Sequence, residues 1–233
     1  MIVLGIETST PQTSVALGSP DGTLAATSLV GPRSRREVVI PVLEDLLSRS
    51  GMRLKQVSGI AVGIGPGLFT GLRVGVETAK SLAHALRVPI VGVPSLDVLA
   101  FSVRHARRVV AAVIDARRGE VFYCLYRPVP GGISRMSDFA VAAPERLVAD
   151  LEATGEEVLA AGNGATLYRR ELEGLGRQVE FAPCLHRHPD APSLVELVLP
   201  RFEREDYDRL FDVAPIYLRK SDAEIAWDKR RGA

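Results

Sequence analysis

A chain of 233 residues is long enough for one large or two small domains with real cores. Its 46% hydrophobic and 24% charged content is ordinary for a soluble globular protein, and a net charge of +1 argues against a broad electrostatic nucleic-acid surface. The 6% aromatic content argues against a base-stacking platform, and two cysteines make no disulfide framework.

No apolar run approaches the ~20 residues of a membrane helix, and Met1-Ile2-Val3-Leu4-Gly5 lacks the basic region of a signal peptide. A reducing cytoplasm is therefore expected, with no membrane partner.

In chain order, Ile2–Ile6 reads as a strand, Glu7-Thr8-Ser9-Thr10-Pro11 as a polar turn, and Thr13–Gly18 as a second strand. Asp21-Gly22 is a hairpin signal, opening a third strand that ends near Val30. A first helix is expected over Ser34–Ser50, with Val39, Ile40, Leu43, Leu46 and Leu47 apolar and Gly51 just past its end. Pro41 lies inside that pattern and is expected to kink it. Arg33, Arg35 and Arg36 sit at the wrong end of this helix for its dipole, which hints at a partner for those charges; solvated arginines are the plainer reading.

Gly59–Ile64 is an apolar run without alternation, the mark of a strand covered on both faces. The run Gly65-Pro66-Gly67-Leu68-Phe69-Thr70-Gly71-Leu72-Arg73-Val74-Gly75 turns from it into a helix expected over Gly71–Arg87, with Thr70 as its cap. Leu72, Val76, Ala79, Ala83 and Leu86 form its apolar stripe, and Arg73, Glu77, Lys80, His84 and Arg87 a charged one. Gly71, Gly75, Ala79 and Ala83 form a third row of small residues. Two helical glycines cost about 1 kcal/mol each against alanine, so a close neighbour should compensate. That neighbour is a partner helix or the protein's own sheet; the residues alone leave both open. The glycine run lacks the order of a phosphate loop, so a structural turn is favoured.

A strand at Ile90–Val93 and a helix over Ser95–Arg104 follow. Val109–Ile114, the turn Asp115-Ala116-Arg117-Arg118-Gly119 and Glu120–Tyr126 then repeat the opening strand–turn–strand, suggesting two related α/β halves. Pro128–Gly132 reads as a loop, Pro183–Pro192 as a linker, Ser193–Glu205 as a helix, and Lys229-Arg230-Arg231 as a mobile tail. The expected division is an N-terminal half over 1–105, a smaller half over 106–190, a helix near 193–205 packing back on the first, and an extension over 206–233.

Cys184, His186 and His188 could begin a zinc site but lack a fourth nearby ligand, so a solvated linker is favoured. Asp115, Arg117 and Glu120 read as a turn whose charges pair, with a small acid–base group as the alternative.

Ile6-Glu7-Thr8-Ser9, Gly65–Gly75 through Ala79-Lys80, Asp115–Val121, Gly162-Asn163-Gly164 and Pro215-Ile216-Tyr217-Leu218-Arg219 together resemble the TsaB (YeaZ) family, non-catalytic members of the bacterial machinery that makes threonylcarbamoyl-adenosine in tRNA. The Gly-Pro-Gly-x-Phe-Thr-Gly-Leu-Arg-x-Gly run is highly specific; the others are weak alone.

The resemblance implies an actin-like, Hsp70-like ATPase (ASKHA, RNase H-like) fold and a catalytic sister, TsaD. Where the sister carries a Cys-Asp-Glu-Thr run, this chain reads Thr10-Pro11-Gln12-Thr13. Where the sister places a His-x-x-x-His metal pair, it reads Ser95 and Leu99. Gly162-Asn163-Gly164 sits nearest the sister's phosphate loop. Glu7 occupies a position where relatives touch phosphate, and a carboxylate there favours structural hydrogen bonding.

The implied role is a scaffold that binds TsaD, with the ATPase subunit TsaE, forms a homodimer without TsaD, reaches tRNA only through the complex, and uses no metal or cofactor. Its implied partner face is the first two helices, through Arg36, Val39, Ile40, Leu43, Gly71, Leu72, Gly75, Val76, Ala79 and Lys80. The rivals are a metal-dependent glycopeptidase-like enzyme and a nucleotide-binding enzyme of the same fold.

Overall fold

The structure is a computed structural model and describes residues 1–31 and 38–219; Arg33, Ser34, Arg35, Arg36 and the Lys229–Arg231 tail lie outside them. Two mixed sheets stand one after the other in the chain. The first is built from β1 (Val3–Glu7), β2 (Gln12–Ser19), β3 (Gly22–Val30), β4 (Gly59–Gly63) and β5 (Ile90–Val93) in the order β3-β2-β1-β4-β5. The second is built from β6 (Val109–Arg117), β7 (Glu120–Val129), β8 (Gly132–Arg135), β10 (Val158–Ala161) and β11 (Val179–Phe181) in the order β11-β10-β6-β7-β8, with β9 (Ala140–Ala142) paired to β7. In each sheet the first strand of the half (β1, β6) is antiparallel to the next strand in sequence (β2, β7) and parallel to the strand on its other side (β4, β10). The duplication suggested by the two strand–turn–strand openings is therefore a duplication of topology.

Side chains alternate between faces with period two. Leu4, Ile6, Val15, Leu17, Ile60 and Val62 meet α1 (Val39–Ser50) and α2 (Phe69–Leu86) on one face of the first sheet. Val3, Ala16, Ala61 and Val91 meet α7 (Ala191–Glu203) on the other. In the second sheet Val109, Ala111 and Val113 pack with α4 (Pro144–Thr154), α5 (Asn163–Leu167) and α6 (Arg169–Glu173). Val110, Ala112, Ile114, Phe122 and Tyr126 pack with α3 (Ser95–Ser102). The helix that follows the first sheet thus covers the second, and the helix that follows the second covers the first.

Several element ends differ from expectation for identifiable reasons. α1 begins at Val39, which puts Pro41 in its first turn; backbone donors there have no intrahelical acceptor, so the proline needs no kink. Gly51, at φ 69°, ends that helix as expected. α2 begins at Phe69 rather than Gly71, with Leu68 at the cap position and no side-chain cap, so Thr70 lies inside the first turn. α7 begins at Ala191 because the Asp190 carboxylate accepts from Ser193 N (2.8 Å) and Pro192 suits the first turn. The expected loop at Pro128–Gly132 is a tight hairpin, with Val129 paired to Gly132 and Gly131 at φ 82°.

After α7 the chain lies across both halves. Asp208 accepts from Gly92 N (2.7 Å), Lys80 Nζ donates to Val213 O (3.1 Å), and Ile216 N donates to Ile64 O (2.7 Å). Leu218 then packs into the core beside the second sheet, and Arg219 pairs with Glu120 (2.6 Å).

Candidate functional site

The turn between β1 and β2 is shut inside the protein: Glu7 is 1% exposed, Thr8 4%, Ser9 0% and Thr10 5%. The Glu7 carboxylate accepts from Ser9 N (2.7 Å) and from Ser95 Oγ (2.9 Å), while Ser95 Oγ accepts from Gly65 N (3.1 Å). Burial pushes the Glu7 carboxyl above its usual range, against the opposing pull of those donors. The structural role expected for Glu7 is what the geometry shows. Ser95, where the catalytic sister is implied to carry a metal ligand, serves this network, and Leu99 is fully buried in the core under α3.

The glycine-rich turn forms the lid of this arrangement. Leu68 N donates to Ser9 O (2.7 Å), and a side chain on Gly67 would meet Ser9 Cβ at 2.7 Å. One turn further on, Thr8 Oγ1 donates to Gly71 O (2.8 Å), and a Cβ on Gly75 would overlap Thr8 Oγ1 and stand 3.3 Å from Thr8 Cβ. The small-residue row therefore has its close neighbour within the chain: the buried β1–β2 turn at Gly71 and Gly75, and the sheet core at Ala79 and Ala83. Of the two readings left open by the sequence, the intramolecular one holds.

That packing changes what the expected partner face can present. Val39, Leu43, Leu72, Gly75, Val76 and Ala79, expected on the partner face, are buried in the protein's own core. Ile40 is 44% exposed, Gly71 and Lys80 are half-buried with Lys80 spent on Val213 O, and Arg36 lies outside the described residues. The outward face of α2 carries Arg73 and Glu77 instead. The Arg73 guanidinium lies 4.1 Å over the Phe69 ring, its Nε donates to Tyr217 Oη (3.1 Å), and the two rings stand 4.9 Å apart. The i,i+4 spacing of Phe69 and Arg73 was the available signal for this cluster; Tyr217 is distant in sequence and gave none.

Across the molecule, the β6–β7 turn is held by its own charges. Arg117 pairs with the buried Asp115 (2.8 Å), and Asp115 N donates to Asn163 Oδ1 (3.2 Å). Arg117, Arg118 and Gly119 all have positive φ, of 64°, 59° and 81°. Glu120, expected in the same group, pairs with Arg219 instead. Gly162-Asn163-Gly164 lies hard against β6, where a Cβ on Gly164 would stand 2.9 Å from the Ile114 carbonyl carbon.

In the expected linker, His186 Nδ1 bonds Ser102 Oγ (3.0 Å), Cys184 is exposed, and burial and the neighbouring Arg187 lower the His188 pKa to about 4. Among the described residues no three His, Cys, Asp or Glu side chains are grouped to hold a metal ion. None of the described helices is long and apolar enough to cross a membrane.

The family described as "TsaD: tRNA N6-adenosine threonylcarbamoyltransferase" matches residues 30–227. The tRNA threonylcarbamoyladenosine biosynthesis protein TsaB of Escherichia coli is 31% identical over 236 residues, covering 100% of this chain and 99% of that one. The chain belongs to the TsaB (YeaZ) family. The solved structure of YeaZ from Pseudomonas aeruginosa matches with a TM-score of 0.78 and 32% identity, over 93% of this chain and 99% of that one. An activator of 2-hydroxyisocaproyl-CoA dehydratase from Clostridium difficile, at 10% identity, covers 90% of this chain and 99% of that one with a TM-score of 0.53. That likeness shows the fold alone: TsaB-family chains, this one included, have the actin-like ATPase fold of two related α/β halves.

Proposed function

We propose that the chain is a non-catalytic subunit in the biosynthesis of threonylcarbamoyladenosine in tRNA, binding a TsaD-type transferase and, with it, a TsaE-type ATPase. The full-length likeness to TsaB supports the pathway. The observation that carries the non-catalytic role is the sealed β1–β2 turn. The position where relatives meet phosphate holds a buried carboxylate, Gly63 lies against that carboxylate, and Leu68 N is bonded to Ser9 O in the same turn. A carboxylate so enclosed repels phosphate unless a cation stands between them.

On this reading the protein acts in the cytoplasm through the exposed parts of α1 and α2, pairs two copies through the same face when the transferase is absent, and meets tRNA only through the complex. The test is reconstituted threonylcarbamoyl transfer to tRNA from the transferase, the ATPase and the adenylate-forming enzyme, with and without this chain. Dependence on the chain, with no activity of the chain alone, is expected. Equal transfer without it refutes the reading.

A further inference from the structure

Among the described residues the chain passes between the two halves three times: from β5 into α3, from β11 into α7, and from α7 along residues 206–219 to Leu218. Two passages alone leave a hinge, an axis through both links about which the halves can turn. The first lies beside Gly65, where Ser95 N donates to Gly65 O (2.7 Å) and Ser95 Oγ to Glu7 (2.9 Å). The second lies at the other end of α3, where His186 meets Ser102 and Arg104 pairs with Glu196. The third passage has no slack. Ile216 N is bonded to Ile64 O in the first half (2.7 Å), and Leu218 packs into the core beside the second sheet. Tyr217, the single residue between them, is itself held on α2: its Oη accepts from Arg73 Nε (3.1 Å) and its ring stands 4.9 Å from that of Phe69. Arg219 then closes onto Glu120 (2.6 Å). Two residues of chain reach at most roughly 7 Å. The second half therefore swings away from Ile64 only if Leu218 leaves its core and Arg219 leaves Glu120.

We propose that Ile216–Arg219 is a latch that holds the two halves at one angle, so that this chain keeps a two-lobed fold without a hinge motion between the lobes. On the first-half side the latch is fastened by backbone and by Tyr217; on the second-half side it is fastened by the side chains of Leu218 and Arg219. Release therefore falls on the second-half side, where the partly exposed ion pair contributes little and the burial of Leu218 more. A subunit latched in this way offers one fixed shape, with no lobe motion to be frozen out when anything binds it. The inference concerns the chain alone and stands or falls apart from the transferase reading.

The test measures the separation of the halves in the full chain by double electron–electron resonance. Nitroxide labels go on the exposed positions Glu44→Cys in α1 and Glu152→Cys in α4, with the exposed Cys184 changed to serine. One narrow distance peak is expected. Leu218→Ala with Arg219→Glu removes the packed side chain and sets like charges against each other at Glu120; it is expected to widen the peak about twofold or more. Adding Glu120→Arg restores an ion pair and should narrow the peak again. A second label pair within the first half, Glu44→Cys with Ser81→Cys, should keep its distance throughout, which separates swinging from unfolding. A broad or two-peaked distribution in the parent overturns the latch, and so does an unwidened peak in the unlatched protein. Where Leu218→Ala loosens the within-half pair as well, Arg219→Glu alone is read on the same scale, and a peak as narrow as the parent's overturns the latch.

Discussion

Replacing Gly75 by alanine sets two effects against each other. Helix propensity favours alanine by about 1 kcal/mol. Against it, the new Cβ stands 3.3 Å from Thr8 Cβ and 3.4 Å from Thr8 Cγ2, and closer still to Thr8 Oγ1. Threonine carries both groups on Cβ, so the collision is relieved only by rotating χ1 until the hydroxyl leaves the Gly71 carbonyl. That strands a buried hydroxyl, at roughly 1–3 kcal/mol, and local overpacking adds roughly 1–3 kcal/mol. The balance is destabilisation by about 3 kcal/mol, or a melting temperature lower by about 6–12 °C for a chain of this size. Urea unfolding followed by circular dichroism measures it. Combining the change with Thr8→Ala should recover part of the loss, because the two residues touch. A Gly75→Ala protein more stable than the parent by the propensity term alone would refute the close-approach argument and return the row to the surface.

Because burial raises the Glu7 pKa, the folded state holds this proton more tightly than the unfolded state, so stability should fall as pH rises above the ordinary carboxyl value of 4.5. Glu7→Gln removes that titration; urea midpoints across the pH range should decline less steeply than in the parent, and an unchanged slope would exclude Glu7 as the source. Asp190→Ala removes the cap of α7 and should cost about 1 kcal/mol in the same assay. Arg219→Ala breaks a partly exposed pair and should cost under about 1 kcal/mol globally. Its clearer signature is faster hydrogen exchange at Ile216 and Tyr217, with exchange in β1 unchanged.

The strands were legible because their burial is written in period and composition. Val3–Ile6, Gly59–Gly63 and Val109–Ile114 lie in the middle of covered sheets and read as runs without a charged or polar side chain. The repeated strand–turn–strand announced the second half for the same reason. Helix starts were less legible, since Thr70 and Pro41 have roles that depend on where the first turn falls, and the bond of Leu68 N to Ser9 O and the burial of Val39 are both long-range. The neighbour of the small-residue row could not be read at all: Thr8 lies sixty-odd positions away, and nothing in a helix pattern says which surface its flat side meets. The course of residues 206–219 was hidden likewise, because its bonds to Gly92, Ile64 and Glu120 are all long-range.

The crossed placement of α3 and α7 has a consequence for synthesis. Val3, Ala16, Ala61 and Val91 remain without their cover until residues 191–203 have left the ribosome, since α7 supplies that layer. The first sheet is thus made early and finished late, with one apolar face waiting through most of translation. The second sheet has both its layers, α3 on one face and α4 to α6 on the other, before α7 is made, so the half begun first closes last, and truncation before Ala191 should leave a chain that chaperones retain.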